Sequence, residues 1–171
     1  SKFITFQESF HGRTFATMSA TGQDKIKKGF GDMLGTFIHI PFNQPEILKD
    51  YIDEDTAGVV VETVQGEGGI ILASAEFLNE IQRLCHKTGA LFIIDDVQAG
   101  IGRTGKAFSF QHYEVKPDLV TLAKGLGNGL PIGALLGDER FIEAFGAGTH
   151  GSTFGGNYIA MAAADEVLKT I

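Results

Sequence analysis

Leu91-Phe92-Ile93-Ile94-Asp95-Asp96 is the stretch on which the fold turns. Four apolar residues in a row make a strand with no polar face, and two carboxylates end it abruptly. Strands read this way when helices cover both faces of a parallel sheet. Val59-Val60-Val61 has the same character. Working outward, the β-branched and aromatic runs Lys2 to Phe6, Thr36 to Ile40, Ala57 to Thr63, Leu119 to Ala123 and Ile132 to Leu136 are expected strands. Pro45 to Ile52 and Ala75 to Lys87 carry apolar residues at helical spacing. In the second of these, Phe77, Leu78, Ile81, Leu84 and Cys85 share one face, with Ser74 as N-cap and Gly89 as stop. Ala160 to Ile171 is again helical in pattern. Strand and helix alternate, so the expected fold is α/β: three layers, with a mostly parallel sheet covered by helices.

Composition is that of an ordinary globular domain, 43% hydrophobic and 20% charged. A length of 171 residues suits one substantial core. The formal net charge of -7 argues against a partner such as nucleic acid, whose backbone calls for excess Lys and Arg. Cys85, the single cysteine, has no partner for an internal disulfide and sits where a helix packs. No apolar run approaches the roughly 18 residues of a membrane span, and no secretory leader pattern is visible. These features together predict a cytoplasmic protein that needs no membrane. The chain opens directly on a strand pattern without Met and closes inside a helical pattern, as a piece of a longer protein would.

Glycines cluster just after the expected strands: Gly66 to Gly69, Gly100 to Gly102, Gly125 to Gly129, and Gly155-Gly156. Ligands of open parallel sheets bind beyond the carboxyl ends of strands, which is where these glycines lie. Asp95 is pinned there by the end of its strand, although a strand-end Asp can equally cap a loop. Lys124 follows Leu122 and Ala123 and precedes Leu126, an apolar setting that favours a nucleophilic free amine. The bland alternative is a solvated lysine snorkelling at a strand end. Phe10 can stack on a flat ligand or simply pack, and His150 to Asn157 can hold an anion or merely cap the helix that follows. The Gly125 to Gly129 run lacks dinucleotide-loop spacing.

Taken in order, these segments resemble one family. Phe10-His11-Gly12-Arg13-Thr14, Val61-Glu62-Thr63-Val64-Gln65-Gly66-Glu67-Gly68-Gly69, Ile94-Asp95-Asp96-Val97-Gln98, Gly102-Arg103-Thr104-Gly105, Leu122-Ala123-Lys124-Gly125-Leu126 and His150 to Asn157 are similar to the class-III aminotransferases of fold type I. Phe10 to Asn43, including Ala20-Thr21-Gly22-Gln23 and His39-Ile40-Pro41-Phe42-Asn43, is most like the acetylornithine aminotransferase branch. The resemblance implies that residues 1–171 are part of a large pyridoxal 5'-phosphate-binding domain. The family's Ser/Thr-rich phosphate loop would lie before Ser1. Its small C-terminal domain, with the arginine for the substrate carboxylate, would lie after Ile171. The piece alone is therefore expected to be inactive.

By the same resemblance, Lys124 bonds covalently to the cofactor and then shuttles a proton. Asp95 pairs with the pyridine nitrogen, Gln98 meets the phenolic oxygen, and Val97 and Phe10 flank the ring. His11 joins the cofactor contacts. Ser152 and Thr153 reach the phosphate of a neighbouring subunit, which implies a homodimer. Glu67 and Arg13 face the substrates, an amino acid and a 2-oxo acid. No metal is called for. Three residues depart from the family pattern: Asp96 replaces the usual Glu, Thr63 the Pro after Glu62, and Tyr158 the Pro after Asn157. The first puts any salt bridge from that position in doubt. The rival readings are another class-III enzyme (acting on ornithine, succinylornithine or 4-aminobutyrate, or an aminomutase), a nucleotide-binding α/β domain, and a folding unit with no ligand.

Overall fold

The computed structural model describes residues 1–171, apart from the side chain of Ile142. The strands are β1 (Lys2–Phe6), β2 (Phe37–Ile40), β3 (Thr56–Val61), β4 (Val64–Gln65), β5 (Ile71–Leu72), β6 (Leu91–Asp95), β7 (Leu119–Leu122) and β8 (Ala134–Gly137). The α-helices are α1 (Phe15–Ala20), α2 (Asp24–Lys27), α3 (Ala75–Thr88) and α4 (Tyr158–Thr170). Six strands form one sheet in the order β2-β1-β3-β6-β7-β8, and β4 and β5 form a separate hairpin. All neighbours in the large sheet run parallel except β7 and β8. The α/β, mostly parallel expectation holds, with one antiparallel edge.

Helix α3 forms where its sequence places it. The Ser74 side chain accepts from the Phe77 amide, and Gly89 closes the helix in the left-handed conformation at φ 80°. Its buried residues are Phe77, Leu78, Ile81, Leu84 and Cys85, the expected face. They pack on the sheet face carrying Phe6, Val59, Val61, Phe92 and Ile94. Phe77 meets the Phe6 ring edge-on at 5.0 Å and the Phe42 ring at 5.2 Å. The opposite face, with Val60, Leu91 and Ile93, is half-buried, so within this chain helix cover is complete on one side only.

Pro45 to Asp50 is a 3-10 helix rather than the α-helix expected there. The last strand begins at Ala134, two residues later than expected, and α4 begins at Tyr158, two residues earlier. Asn157 explains the second shift, because its side chain accepts from the amides of Ile159 and Ala160 and so starts the helix before its apolar residues. Among the described residues no helix is long and apolar enough to cross a membrane, and no group of three or more His, Cys, Asp and Glu side chains could hold a metal ion.

The chain steps from β1 outward to β2, then back across β1 to β3 and on to β6 and β7. The crevice where that order reverses, beyond the carboxyl ends of β1 and β3, is where a ligand of such a sheet binds. Beside it, Thr5 and His39 pair across β1 and β2. His39 Nδ1 lies 2.6 Å from Thr5 Oγ1, and Nε2 lies 2.6 Å from Lys27 Nζ. Burial, then the Lys27 charge, lowers the His39 pKa to about 4.

Two measurements check this frame. Phe77→Ala empties the ring cluster and is expected to cost about 3–5 kcal/mol in urea denaturation; a loss below about 1 kcal/mol contradicts the packing. An unfolded His39 takes its proton near pH 6.5, but the folded one only near pH 4. Stability should therefore fall as pH drops from about 6.5 toward 4, and His39→Gln should flatten that slope.

Candidate functional site

Three loops meet at the crevice. The loop after β1 carries Phe10 and His11 past the end of β3 to β6, where His11 Nδ1 lies 2.7 Å from Asp95 Oδ2. Both side chains are shielded, 4% and 10% exposed. Thr121 on β7 donates to Asp95 Oδ1 at 3.1 Å, and the Val97 amide donates to the same oxygen at 3.2 Å. An ionised carboxylate only accepts, so the proton between it and His11 sits on Nδ1. Oδ1 accepts two hydrogen bonds and Oδ2 one. With about two acceptor positions on each oxygen, Oδ2 keeps one free. His11 Nε2 is buried without a hydrogen-bond partner.

The loop bearing His11 is fixed from behind. The His11 amide donates to Thr21 Oγ1 at 2.9 Å, and Gln23 Nε2 reaches the carbonyls of Glu8 and Ser9, each at 3.1 Å. Gly22 lies so close to the Phe6 carbonyl that a Cβ has no room. The Ala20 to Gln23 stretch, quoted above only as a resemblance, thus has a structural task. The Phe10 amide donates to Glu62 Oε2 at 3.1 Å, and the exposed Arg13 guanidinium lies 5.7 Å from the Phe10 ring centroid. Glu62 is 5% exposed, and burial raises its pKa to about 7. Neither Glu62 nor Thr121 stands out in the sequence as a site residue. Position at a strand end is the one signal that could have found them.

Gln98 donates to Glu67 Oε1 at 3.1 Å. Its amide oxygen occupies the space a side chain at Gly66 would need, so the glycine is required for this approach. Lys124 opens a 3-10 turn, Lys124–Gly127, in the left-handed region at φ 44°. A non-glycine residue there costs on the order of 1–2 kcal/mol, and such strain gathers at functional sites. Of the two settings open to Lys124, apolar or solvated, the solvated one is found: Leu122 and Leu126 turn into the core while the lysine is exposed. Ser152 and Thr153 are exposed and make no hydrogen bond to Asp95 or its partners. Ser152 instead lines an apolar groove of about 870 Å³ along α4, with Leu122, Leu126 and Met161.

Two of the departures from the family pattern meet in one cluster. Thr63 donates to Ser109 Oγ at 2.5 Å, and Ser109 in turn donates to Asp96 through both its hydroxyl and its amide. Asp96 is fully buried, burial raises its pKa, and among the described residues it makes no salt bridge. The hydrogen bonds from Ser109 take the place of an ion pair.

Residues 1–171 match the family described as Aminotransferase class-III. The acetylornithine aminotransferase of Bacillus cereus is 59% identical over 169 residues, 99% of this chain and 44% of that protein. The ornithine aminotransferase of Toxoplasma gondii superposes with a TM-score of 0.93 at 34% identity, covering 99% of this chain and 41% of the other. A second structure of that enzyme, with a TM-score of 0.92 over 99% of this chain and 40% of the other at 34% identity, is described as having partial PLP occupancy at its active site. The chain thus spans less than half the length of these relatives.

Asp95→Ala removes the acceptor for His11, Thr121 and Val97 together. It is expected to cost about 3 kcal/mol of stability in urea, whereas Asp95→Asn, which keeps an acceptor oxygen, costs clearly less. Equal losses in the two variants contradict the arrangement.

Proposed function

The chain belongs to the class-III aminotransferase family, and on that footing we propose that it is the cofactor-holding part of an acetylornithine aminotransferase. The whole protein exchanges the δ-amino group of N2-acetylornithine with 2-oxoglutarate, giving N-acetylglutamate semialdehyde and glutamate, a step of arginine biosynthesis. Identity of 59% to the Bacillus cereus acetylornithine enzyme, against 34% to the Toxoplasma ornithine enzyme, favours this branch over the ornithine one. A cytoplasmic homodimer is part of the same reading. Membership in the family also argues against the nucleotide-binding rival.

The cofactor in this reading is pyridoxal 5'-phosphate, which supplies an electron sink for the substrate when bound. The residues present fit it. Asp95 is the observation that carries the proposal: a shielded carboxylate, held by three donors, that keeps an acceptor position free at the mouth of the sheet. A protonated ring nitrogen is the group such a position suits. His11 and Thr121 orient the carboxylate through their hydrogen bonds. Phe10 and Val97 flank the ring, and Gln98 serves its phenolic oxygen. Lys124 is the covalent partner and the base that moves a proton to and from the substrate carbon. Its side chain is exposed, on a backbone held at a strained positive φ. Glu67 and Arg13 meet the substrates, and Ser152 and Thr153 serve the phosphate held by a neighbouring subunit.

The test is chemical trapping. The purified chain is incubated with pyridoxal phosphate, reduced with borohydride and mapped by peptide mass. The label is expected on Lys124, and none on that peptide in Lys124→Ala. Label scattered over surface lysines in proportion to their exposure contradicts the assignment.

A further inference from the structure

Glu62 is the buried carboxylate that the reading above leaves without a task. It follows β3, which lies between β1 and β6 in the sheet. Val60 pairs with Ile93 and Val61 with Ile94, so continuing the register brings Glu62 alongside Asp95 on the same face. Its only hydrogen bond is the one from the Phe10 amide, and it makes no salt bridge among the described residues. A neutral side chain would serve that amide at a lower desolvation cost, since a buried charge without an ion-pair partner is expensive. A carboxyl group at this place is therefore unexplained by packing alone.

What surrounds it supplies the reason. The charged groups that act on Glu62 are His11 from the loop after β1, Asp95 from β6 and Lys124 from the turn after β7. His11 joins two of these elements through its bond to Asp95, and its other ring nitrogen is buried and unpartnered. Glu62 thus touches the loop that carries Phe10 and shares its surroundings with both Asp95 and Lys124.

We propose that Glu62 is a positioning residue of the cofactor site, which holds Phe10 in place through its backbone amide and couples electrically to the His11–Asp95 pair. The proposal rests on the reading of the site given under Proposed function. A carboxylate binds an amide more tightly than a carboxylic acid does. The loop is therefore held more firmly as Glu62 loses its proton, around pH 7, and its charge then acts on the neighbouring His11–Asp95 pair.

The test uses nitrogen-15 NMR on the free chain from about pH 5.5 to 8.5, with dialysis against pyridoxal phosphate as a second arm. In the wild type, the Phe10 amide proton should move downfield with a midpoint near pH 7, and the His11 ring nitrogens should report the same midpoint. Glu62→Gln, which still accepts but does not titrate, should abolish both inflections and weaken pyridoxal phosphate binding at pH 8 about fivefold, as exchange of a charge-assisted hydrogen bond for a neutral one would. Glu62→Asp, which keeps the charge on a shorter stem, should keep the His11 inflection and lose the one at Phe10. A flat Phe10 amide in the wild type, or inflections that persist in Glu62→Gln, overturns the proposal, as does unchanged affinity in that variant. If the wild type binds no pyridoxal phosphate, the cofactor reading has failed in this chain, and the two titrations decide the role of Glu62 by themselves.

Discussion

A carboxylate at the end of a buried strand has to find its hydrogen-bond donors in neighbouring strands, and Asp95 draws the whole site together for that reason. Strand β6 is apolar to its last turn, so nothing on its own length can solvate the charge. The donors come from either side: Thr121 in register on β7, His11 over the top of β3, and the Val97 amide just beyond. Each bond fixes a different segment. The cost of leaving such a group half-satisfied far exceeds the net gain of any one bond, so the three segments are held as a unit. The loop after β1 reaches the carboxylate from across β3. It stays in place because Thr21, Gly22 and Gln23 brace its backbone.

Two layers of polar contacts therefore lie under the crevice. The upper one is His11, Asp95 and Thr121, with one acceptor position of the carboxylate left free. The lower one is Thr63, Ser109 and Asp96, fully enclosed. Asp96 shows how a departure from a family pattern can be absorbed. A carboxylate one methylene shorter than Glu is met by two donors of Ser109, and Thr63, standing in for a proline, supplies the hydroxyl that completes the chain. The two replacements make structural sense together, though neither does alone.

Much of this was legible in the sequence where the signal is local. The apolar runs of β3 and β6, the amphipathic face of α3 and its Ser74 and Gly89 boundaries are all short-range patterns, and the structure follows them. The β4–β5 hairpin was not legible, because two-residue strands on either side of a glycine-rich turn have no periodicity to read. Helix α1 is short, exposes Phe15 and buries Ser19 against the usual pattern, and it is stabilised by its place beside β2 more than by its own pattern. Within the site, Asp95 could be picked out by position, and Lys124 by family resemblance. Thr121 and Glu62 carry only the weak signal of standing at a strand end, because their roles depend on which strands lie side by side. Of the two settings the sequence allows for Lys124, the solvated one is found, because the apolar neighbours that flank it in sequence are buried while the chain turns at a positive φ.

The central claim is that Asp95 offers an ionised acceptor to the ring nitrogen of a bound pyridine cofactor. The most direct measurement is nitrogen-15 NMR of ring-labelled pyridoxal phosphate bound to the chain. A pyridinium shift that stays constant through neutral pH, and moves to the unprotonated value in Asp95→Asn, is the predicted result. A bound ring nitrogen that is unprotonated in the wild type, or indifferent to that substitution, would contradict the account.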